Sequence, residues 1–418
     1  MQKFKHPVIQ NSLSFYLINF SDYLISLILL PFLARTINIE GIGILGLATS
    51  LGIVCTLIIE YGFSLSATRE IAANKKTNNF IFSKVLLSKI VLVLPCIIVC
   101  LISFFIVPIF QKYSFVVFFV FASAILNGFT PLWYFQGTQR VLPFAILKIL
   151  LRTITIIPVL FLVKSMDEIW IVFISQIISS LIICLISMFW VIKEVKIINV
   201  TKNEIVNSLK ESWHPFSLTI VPPICTMVIF FWLSTKLSIE SIGLINSAER
   251  IFRALISIFG PLGQAIYPFL ISQLSTNKSK ALIQTKKVLY FYFTLGMLIL
   301  LSVILFSDSF IIFYLGENFI KSSLVLKIFA LSIPIIKISH VLGRQWLFSL
   351  KLDQIANFGV LVSSIILSIS TFLSFQIYEI LSFPISLFIS ELFLLFYYFI
   401  YLNHKKIGFW NQNVEKRI

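Results

Sequence analysis

Apolar stretches of about twenty residues recur along almost the whole chain, and they leave it few ways to fold. They lie near residues 12–34, 42–63, 82–109, 114–135, 142–163, 168–191, 215–235, 242–271, 288–307, 322–342, 355–375 and 379–402. At 1.5 Å per helical residue, each is long enough to cross a hydrocarbon core about 30 Å thick. A membrane β-barrel would instead show strands of about ten residues with alternating polarity. Of the 418 residues, 58% are hydrophobic and only 12% are charged, against about 25% charged in soluble domains. A soluble fold of this length could not hide so much apolar side chain. The sequence therefore reads as an all-α membrane protein with about twelve transmembrane helices.

The net charge of +16 fits such a protein better than it fits a nucleic-acid binder, because cytoplasmic loops accumulate Lys and Arg. With the N-terminus placed in the cytoplasm, 22 of the 33 basic residues fall on the cytoplasmic side, Lys89 and Arg344 among them. Six fall outside and five lie within helices. This bias puts both termini in the cytoplasm and makes the number of spans even. The first apolar run has no small-residue cleavage site after it, so it reads as a retained helix rather than a signal peptide.

The spans divide into two lobes: residues 1–192 with helices 1–6, and 213–403 with helices 7–12. A cytoplasmic linker at 193–212 joins them, and a cytoplasmic tail follows at 404–418. An internal repeat supports two pseudo-symmetric six-helix lobes. IEGIGILGLA starts at Ile39 and IESIGLINSA at Ile239, with five of ten positions identical at an offset of 200. Six spans separate the copies, so the halves share one orientation, as in a parallel repeat. Twelve of the 14 prolines fall in or beside spans, among them Pro31, Pro95, Pro158, Pro261 and Pro334, where they can kink a helix.

No catalytic constellation is present. The four histidines are His6, His214, His340 and His404, and there is neither a Gly-rich phosphate loop nor an HExxH motif. The five cysteines, Cys55, Cys96, Cys100, Cys184 and Cys225, all sit inside apolar runs. They read as packing thiols, with no metal site or cofactor expected.

Charges inside the spans carry the functional information, since each costs about 2.5–3.5 kcal/mol at a helix centre on insertion scales. The basic ones are Lys148 and Arg152 on helix 5, Arg250 and Arg253 on helix 8, and Lys337 on helix 10. The acidic ones are Asp22, Glu60, Glu249 and Glu391. Lys148 and Arg152 are four apart and share a face, as do Arg250 and Arg253 three apart. An Arg fork matches phosphate oxygens bidentately, so a basic-lined cavity between the halves would suit a diphosphate-bearing substrate. Ion pairing is the competing role, Glu249 with Arg253 at i, i+4 in particular. Glu60, read as lying near the cytoplasmic end of its helix, and Lys337 could snorkel to the interface. Asp22 and Glu391 are the leading candidates for proton or sodium coupling, with Glu60 and Glu249 as further ones. Trp133, Trp170 and Trp346 could stack on sugar rings or form interfacial belts.

Several runs resemble one family. They are PFLARTINIEGIGILGLA from Pro31, IEYGFSLSATREIA from Ile59, PLWYFQGTQR from Pro131, SAERIFRALISIFGPLGQAIYPFL from Ser247, FYLGENF from Phe313 and VLGRQWL from Val341. Together they resemble the O-antigen and capsule repeat-unit flippases. That family is the polysaccharide-transporter branch of the superfamily (the MOP exporters) that also holds the multidrug/toxin extruders and the lipid II flippase. The resemblance implies a two-lobed bundle of twelve helices in the bacterial inner membrane, working by alternating access. It implies an undecaprenyl-diphosphate-linked oligosaccharide as substrate, with Lys148, Arg152, Arg250 and Arg253 as the basic cavity positions. A polysaccharide polymerase and a chain-length regulator are the protein partners to expect.

Two other functions compete. A multidrug or cation antiporter should have a carboxylate-dominated interior, whereas basic residues outnumber acidic ones here. A membrane polysaccharide polymerase usually carries a sizeable outer loop or soluble domain, which is lacking. The charge asymmetry makes a topological prediction. Reporter fusions at residue 200 and at the C-terminus should score as cytoplasmic, and a fusion at Lys236 as external. An external signal at residue 200 would overturn the orientation.

Overall fold

The computed structural model of the protein describes residues 25–73, 77–260, 270, 273–274, 278–408 and 410. Among the described residues the secondary structure is helical, with no strand. This follows from the solvent: a bilayer core offers no water to unpaired backbone groups, so each span must satisfy its own. Nine described segments are long and apolar enough to cross a membrane. One of them, 353–404, is two packed helices, Asp353–Tyr378 and Ser382–His404. Two further helices complete the twelve anticipated spans. Ile25–Thr36 is short as described, and Ile239–Ser257 carries Glu240, Glu249, Arg250 and Arg253.

Internal packing divides the chain into two units, which meet in sequence at Gly243 and Leu244. In the first, helices α1 (Ile25–Thr36) and α2 (Asn38–Glu60) are separated by the single turn residue Ile37. Asn38 there holds a left-handed φ of 57°, which Asn tolerates better than most residues. Next come α3 (Phe63–Ala73), α4 (Asn78–Ile106), the short α5 (Pro108–Lys112), α6 (Ser114–Phe129), the short α7 (Leu132–Gly137), α8 (Val141–Leu162) and α9 (Ile169–Ile192). Helix α10 (Lys202–Ser234) packs on α2, α3 and α4. The boundary by packing therefore falls one span later than the loop near residue 200.

Several element ends differ from expectation. The segment 193–212 is not all linker: α10 already begins at Lys202. A capping box starts it, with Thr201 N donating to Glu204 at 2.7 Å and Glu204 N donating back to Thr201 Oγ1 at 3.4 Å. The first turns of α10 are amphipathic rather than apolar, so an apolar-run criterion misses them. Helix α11 (Ile239–Ser257) ends well before residue 271, in a turn at 258–259. Residues 261–269, Pro261 included, lie outside the described residues. Helix α12 (Lys278–Leu315) is 38 residues long and extends past both ends of the expected 288–307. Pro95, Pro158 and Pro334 all sit within continuous helices.

The lysine-rich end of the first unit is held by an aromatic cluster and two ionic groups. Phe63, Phe82, Trp133, Tyr134, Phe135 and Phe144 are buried together, with Phe82 stacked on Trp133 at 6.0 Å. Trp133 is thus a core residue rather than a sugar-stacking or belt residue. Lys84 pairs with Glu70 at 2.9 Å and reaches Glu211 of α10 at 3.8 Å. Arg140 grips Glu194 with two nitrogens, at 2.6 and 2.5 Å. This fork holds the Glu194 carboxyl below its usual range.

The second unit contains most of α11, then α12, α13 (Lys321–His340), α14 (Asp353–Tyr378) and α15 (Ser382–His404). Helix α13 packs between α12 and α15 and continues as a π-helical segment, Val341–Leu347. Trp346 in that segment is fully buried and its indole donates to Ile407 O at 3.0 Å. It too is a core residue. Of the three tryptophans singled out from sequence, Trp170 is the exposed one, at 45%.

The two copies of the sequence repeat meet each other. A Cβ on Gly43 would fall 2.4 Å from Ile239 O, and one on Gly243 would fall 2.1 Å from Ile39 O. The contact is reciprocal, copy on copy, and only glycine lets the backbones approach so closely. Gly43→Ala and Gly243→Ala should each lower the stability of the purified protein by about 1–3 kcal/mol, the usual cost of overpacking. Because both push the same pair of helices apart, the double variant should cost less than the sum. Thermal unfolding followed by tryptophan fluorescence would check this, and unchanged midpoints for both single variants would refute it.

Candidate functional site: charged side chains embedded in each unit

In the first unit the site is built around a break in the second span. Helix α2 stops at Glu60, and Tyr61 and Gly62 take positive φ values of 45° and 73°. The chain can turn there because Gly62 lies against α10: a Cβ on it would meet Phe216 N at 2.8 Å. The Tyr61 ring stacks on Phe216 at 4.3 Å. Helix α3 then resumes for 11 residues. Glu60 is therefore not at a shallow helix end, as the sequence suggested. It sits at an internal break, and a further helix, α3, follows it.

Two ammonium groups face Glu60 electrostatically, those of Lys89 and Lys148. Lys89 was grouped with the loop lysines because it lies only a few residues into an apolar run. In the structure α4 starts at Asn78, and Lys89 is only 2% exposed. Its Nζ donates to Gly128 O at 2.6 Å, one residue from the end of α6. The last carbonyls of a helix have no intrahelical donor and carry the negative end of the dipole, so a buried cation is well placed there. The complementary charge of Glu60 was the signal in the sequence that could have drawn attention to Lys89. Lys148 and Arg152 lie four apart on the continuous helix α8, both half-buried. Asp22 lies outside the described residues.

In the second unit Arg253 donates through Nε and Nη2 to Glu249 Oε1, at 2.8 and 2.5 Å. The anticipated i, i+4 ion pair is formed, with the carboxylate side chain 9% exposed and the guanidinium 55%. Arg250 donates Nε to Asn246 Oδ1 at 2.9 Å, again across one turn of α11. Lys337 of α13 is only 2% exposed. Its Nζ donates to Ile256 O at 3.1 Å, close to the end of α11, and lies 4.5 Å from the Phe259 ring centroid. Lys337 is thus buried rather than snorkelling. Glu391 of α15 faces Lys337 electrostatically.

Arg344 was placed in a loop by sequence but lies in the π-helical segment after α13, within electrostatic reach of Lys337 and His340. A Cβ on Gly343 would meet the Tyr398 ring at 2.8 Å, and Tyr398 donates to Ala356 O at 2.7 Å. The wide turn is thereby pinned to α14 and α15. Such π-bulges often occur where a helix presents a functional side chain. In both units basic groups outnumber the carboxylates they face: Lys89 and Lys148 act on Glu60, Arg250 and Arg253 on Glu249, and Lys337, itself near Arg344, on Glu391. A site of this composition favours an anionic ligand over a cationic one.

Known proteins share both sequence and fold with this chain. Residues 8–275 match the family described as "Polysaccharide biosynthesis protein". A protein of Escherichia coli (strain K12) named "Putative O-antigen transporter" is 29% identical over 331 residues, covering 78% of this chain and 80% of its own. Among solved structures, the lipid II flippase MurJ in an inward closed conformation matches with a TM-score of 0.71 at 15% identity, covering 94% of this chain and 87% of that one. An inward-facing multidrug resistance MATE family transporter of the MOP superfamily matches with a TM-score of 0.67 at 13% identity, covering 94% of each chain. At such identities the structural likeness establishes the fold alone, the all-α fold that these two transporters share. The family follows from the sequence match, which spans more than half of the chain: the protein is a multi-pass membrane transporter that belongs to the polysaccharide biosynthesis protein family.

Proposed function

We propose that this transporter is a flippase for a lipid-linked polysaccharide precursor. In this reading the substrate is an undecaprenyl-diphosphate-linked oligosaccharide repeat unit, carried from the cytoplasmic to the outer leaflet of the bacterial inner membrane by alternating access. The observation that carries the proposal is the surplus of basic over acidic side chains embedded in the spans of each unit. A diphosphate needs cationic partners in a low-dielectric setting, and Arg supplies them with bidentate geometry. The relative named as an O-antigen transporter and the fold shared with a lipid II flippase support the same reading. A carboxylate-poor interior argues against cation or drug antiport.

Within this proposal Lys148, Arg152 and Arg250 bind the diphosphate, with Arg253 tuned by its partner Glu249. Lys89 and Lys337 hold helix ends in place and add positive potential. Glu60 and Glu391, each facing an ammonium group, are the carboxyls through which a proton or sodium gradient would drive the cycle; Asp22 is a third candidate. No cofactor is required. A polymerase and a chain-length regulator would act on the flipped unit.

The deciding experiment is flipping of a defined diphosphate-lipid oligosaccharide by the reconstituted protein, with and without imposed proton or sodium gradients. Arg152→Ala and Arg250→Ala should each lower the rate about tenfold or more, the loss expected for a charge-assisted hydrogen bond, with unfolding midpoints close to wild type. Wild-type rates in both variants, or efflux of cationic drugs by the native protein, would overturn the proposal. Lys89→Met should behave in the opposite way. It leaves Gly128 O and Glu60 without their buried partner, so stability should fall by about 2–4 kcal/mol. An unchanged unfolding midpoint would show that Lys89 has no structural role.

A further inference from the structure

Three cysteines set apart by sequence are brought together by the fold. Cys55 comes from α2, and Cys96 and Cys100 come from successive turns of α4. Their sulfur atoms all lie within 4.8 Å of one another, and Cys55 Sγ is 3.6 Å from Cys100 Sγ. Cys55 and Cys96 are fully buried, and Cys100 is 6% exposed. Among the described residues no His, Asp or Glu joins the group. Cys100 also lines an apolar groove of about 270 Å3, with Ile97, Leu101, Phe104, Val117 and Phe118.

We propose that these three thiols form a binding site for a soft monovalent metal ion, copper(I), within the membrane-spanning part of the first unit. The donor set selects among metals. An all-sulfur site favours copper(I), zinc or an iron–sulfur cluster. Structural zinc is almost always four-coordinate, and iron–sulfur clusters use four ligands. Three sulfurs suit three-coordinate copper(I). With metal–sulfur bonds of about 2.3 Å in a trigonal plane, the sulfurs would stand about 4.0 Å apart, within the spread the structure shows.

Charge balance points the same way. When copper(I) binds, one S–H bond breaks, its proton leaves to water, and a Cu–S bond forms. The other two thiols bind through their lone pairs and keep their protons. The metal stays in the +1 state, no electron is transferred, and the filled site is neutral. Zinc with three thiolates would instead leave a net negative charge in a low-dielectric environment, which is costly. The apolar groove beside Cys100 suits a weakly hydrated monocation carrying apolar ligands better than a hydrated dication. A filled site would clip α2 to α4, about 7.5 Å along α2 from Glu60.

The test supplies copper(I) as its acetonitrile complex, under argon, to the purified full-length protein. Excess metal is then removed with a chromogenic copper(I) chelator. The wild type should retain one copper per chain, and X-ray absorption should show three sulfur neighbours. Cys55→Ser and Cys100→Ser should lower retention at least tenfold, whereas Cys184→Ser and Cys225→Ser should retain one equivalent. No retention by the wild type, equal retention by the Cys55 and Cys100 variants, or nitrogen and oxygen neighbours in the absorption spectrum would each overturn the proposal. The spectrum of the wild type decides the matter even if a serine variant fails to fold.

Discussion

Water's absence from the bilayer core governs this structure more than any single contact. A backbone carbonyl left over at a helix end cannot be solvated there, and a charge cannot be hydrated. The protein lets one problem solve the other. Lys89 donates to Gly128 O near the end of α6, and Lys337 donates to Ile256 O near the end of α11. Each buried ammonium donates to a carbonyl near the negative end of a helix dipole; Ile256 O shares Lys337 with the backbone N–H of Phe259, at 3.2 Å. Among the described residues a buried lysine is placed in this way in both units, on different helices. It permits α6 and α11 to stop inside the protein, and the chain turns shortly after both.

Once these lysines are accounted for, the remaining embedded charges sort by partner. Glu249 is committed to Arg253 by two short hydrogen bonds. Arg250 is steadied by Asn246, a neutral side chain, which orients the guanidinium without cancelling its charge. Glu60 and Glu391 face ammonium groups through space. The sum is a positive interior in each unit, maintained with little use of full ion pairs. A transporter that must release its cargo gains from that balance. In the function proposed above, a diphosphate would meet charge that is oriented in advance, and the attraction would be spread over several side chains rather than concentrated in one.

Much of the fold was legible from sequence because the bilayer imposes one pattern, the apolar run of about twenty residues. The twelve spans, the Lys148–Arg152 face and the Glu249–Arg253 pair all follow from helical periodicity. What escaped notice did so for physical reasons. The first turns of α10 are amphipathic, so a search for apolar runs passes over them although a Thr-x-x-Glu capping box marks their start. Lys89 and Arg344 lie near the ends of apolar runs, where charge looks cheap; only packing shows that α4 begins earlier and that α13 continues as a π-helix. Cys55 joins Cys96 and Cys100 across more than forty residues of chain, a proximity that no spacing rule encodes.

The glycine contact between Gly43 and Gly243 bears on how the two copies of the repeat have come to differ. Elsewhere in the ten-residue match the copies have diverged: Gly46 stands opposite Asn246, and Leu47 opposite Ser247. The identities include Ile39 with Ile239 and Gly43 with Gly243, the residues whose backbones touch. Each copy is the mould for the other. A side chain added on one side strikes main chain on the other, and main chain has no smaller rotamer to offer. Substitution in the partner cannot repair the clash, so the two copies are bound to a shared history at this point while remaining free to specialise a few residues away. A duplicated sequence that touches itself in this way retains the mark of its duplication where its own geometry forbids erasing it.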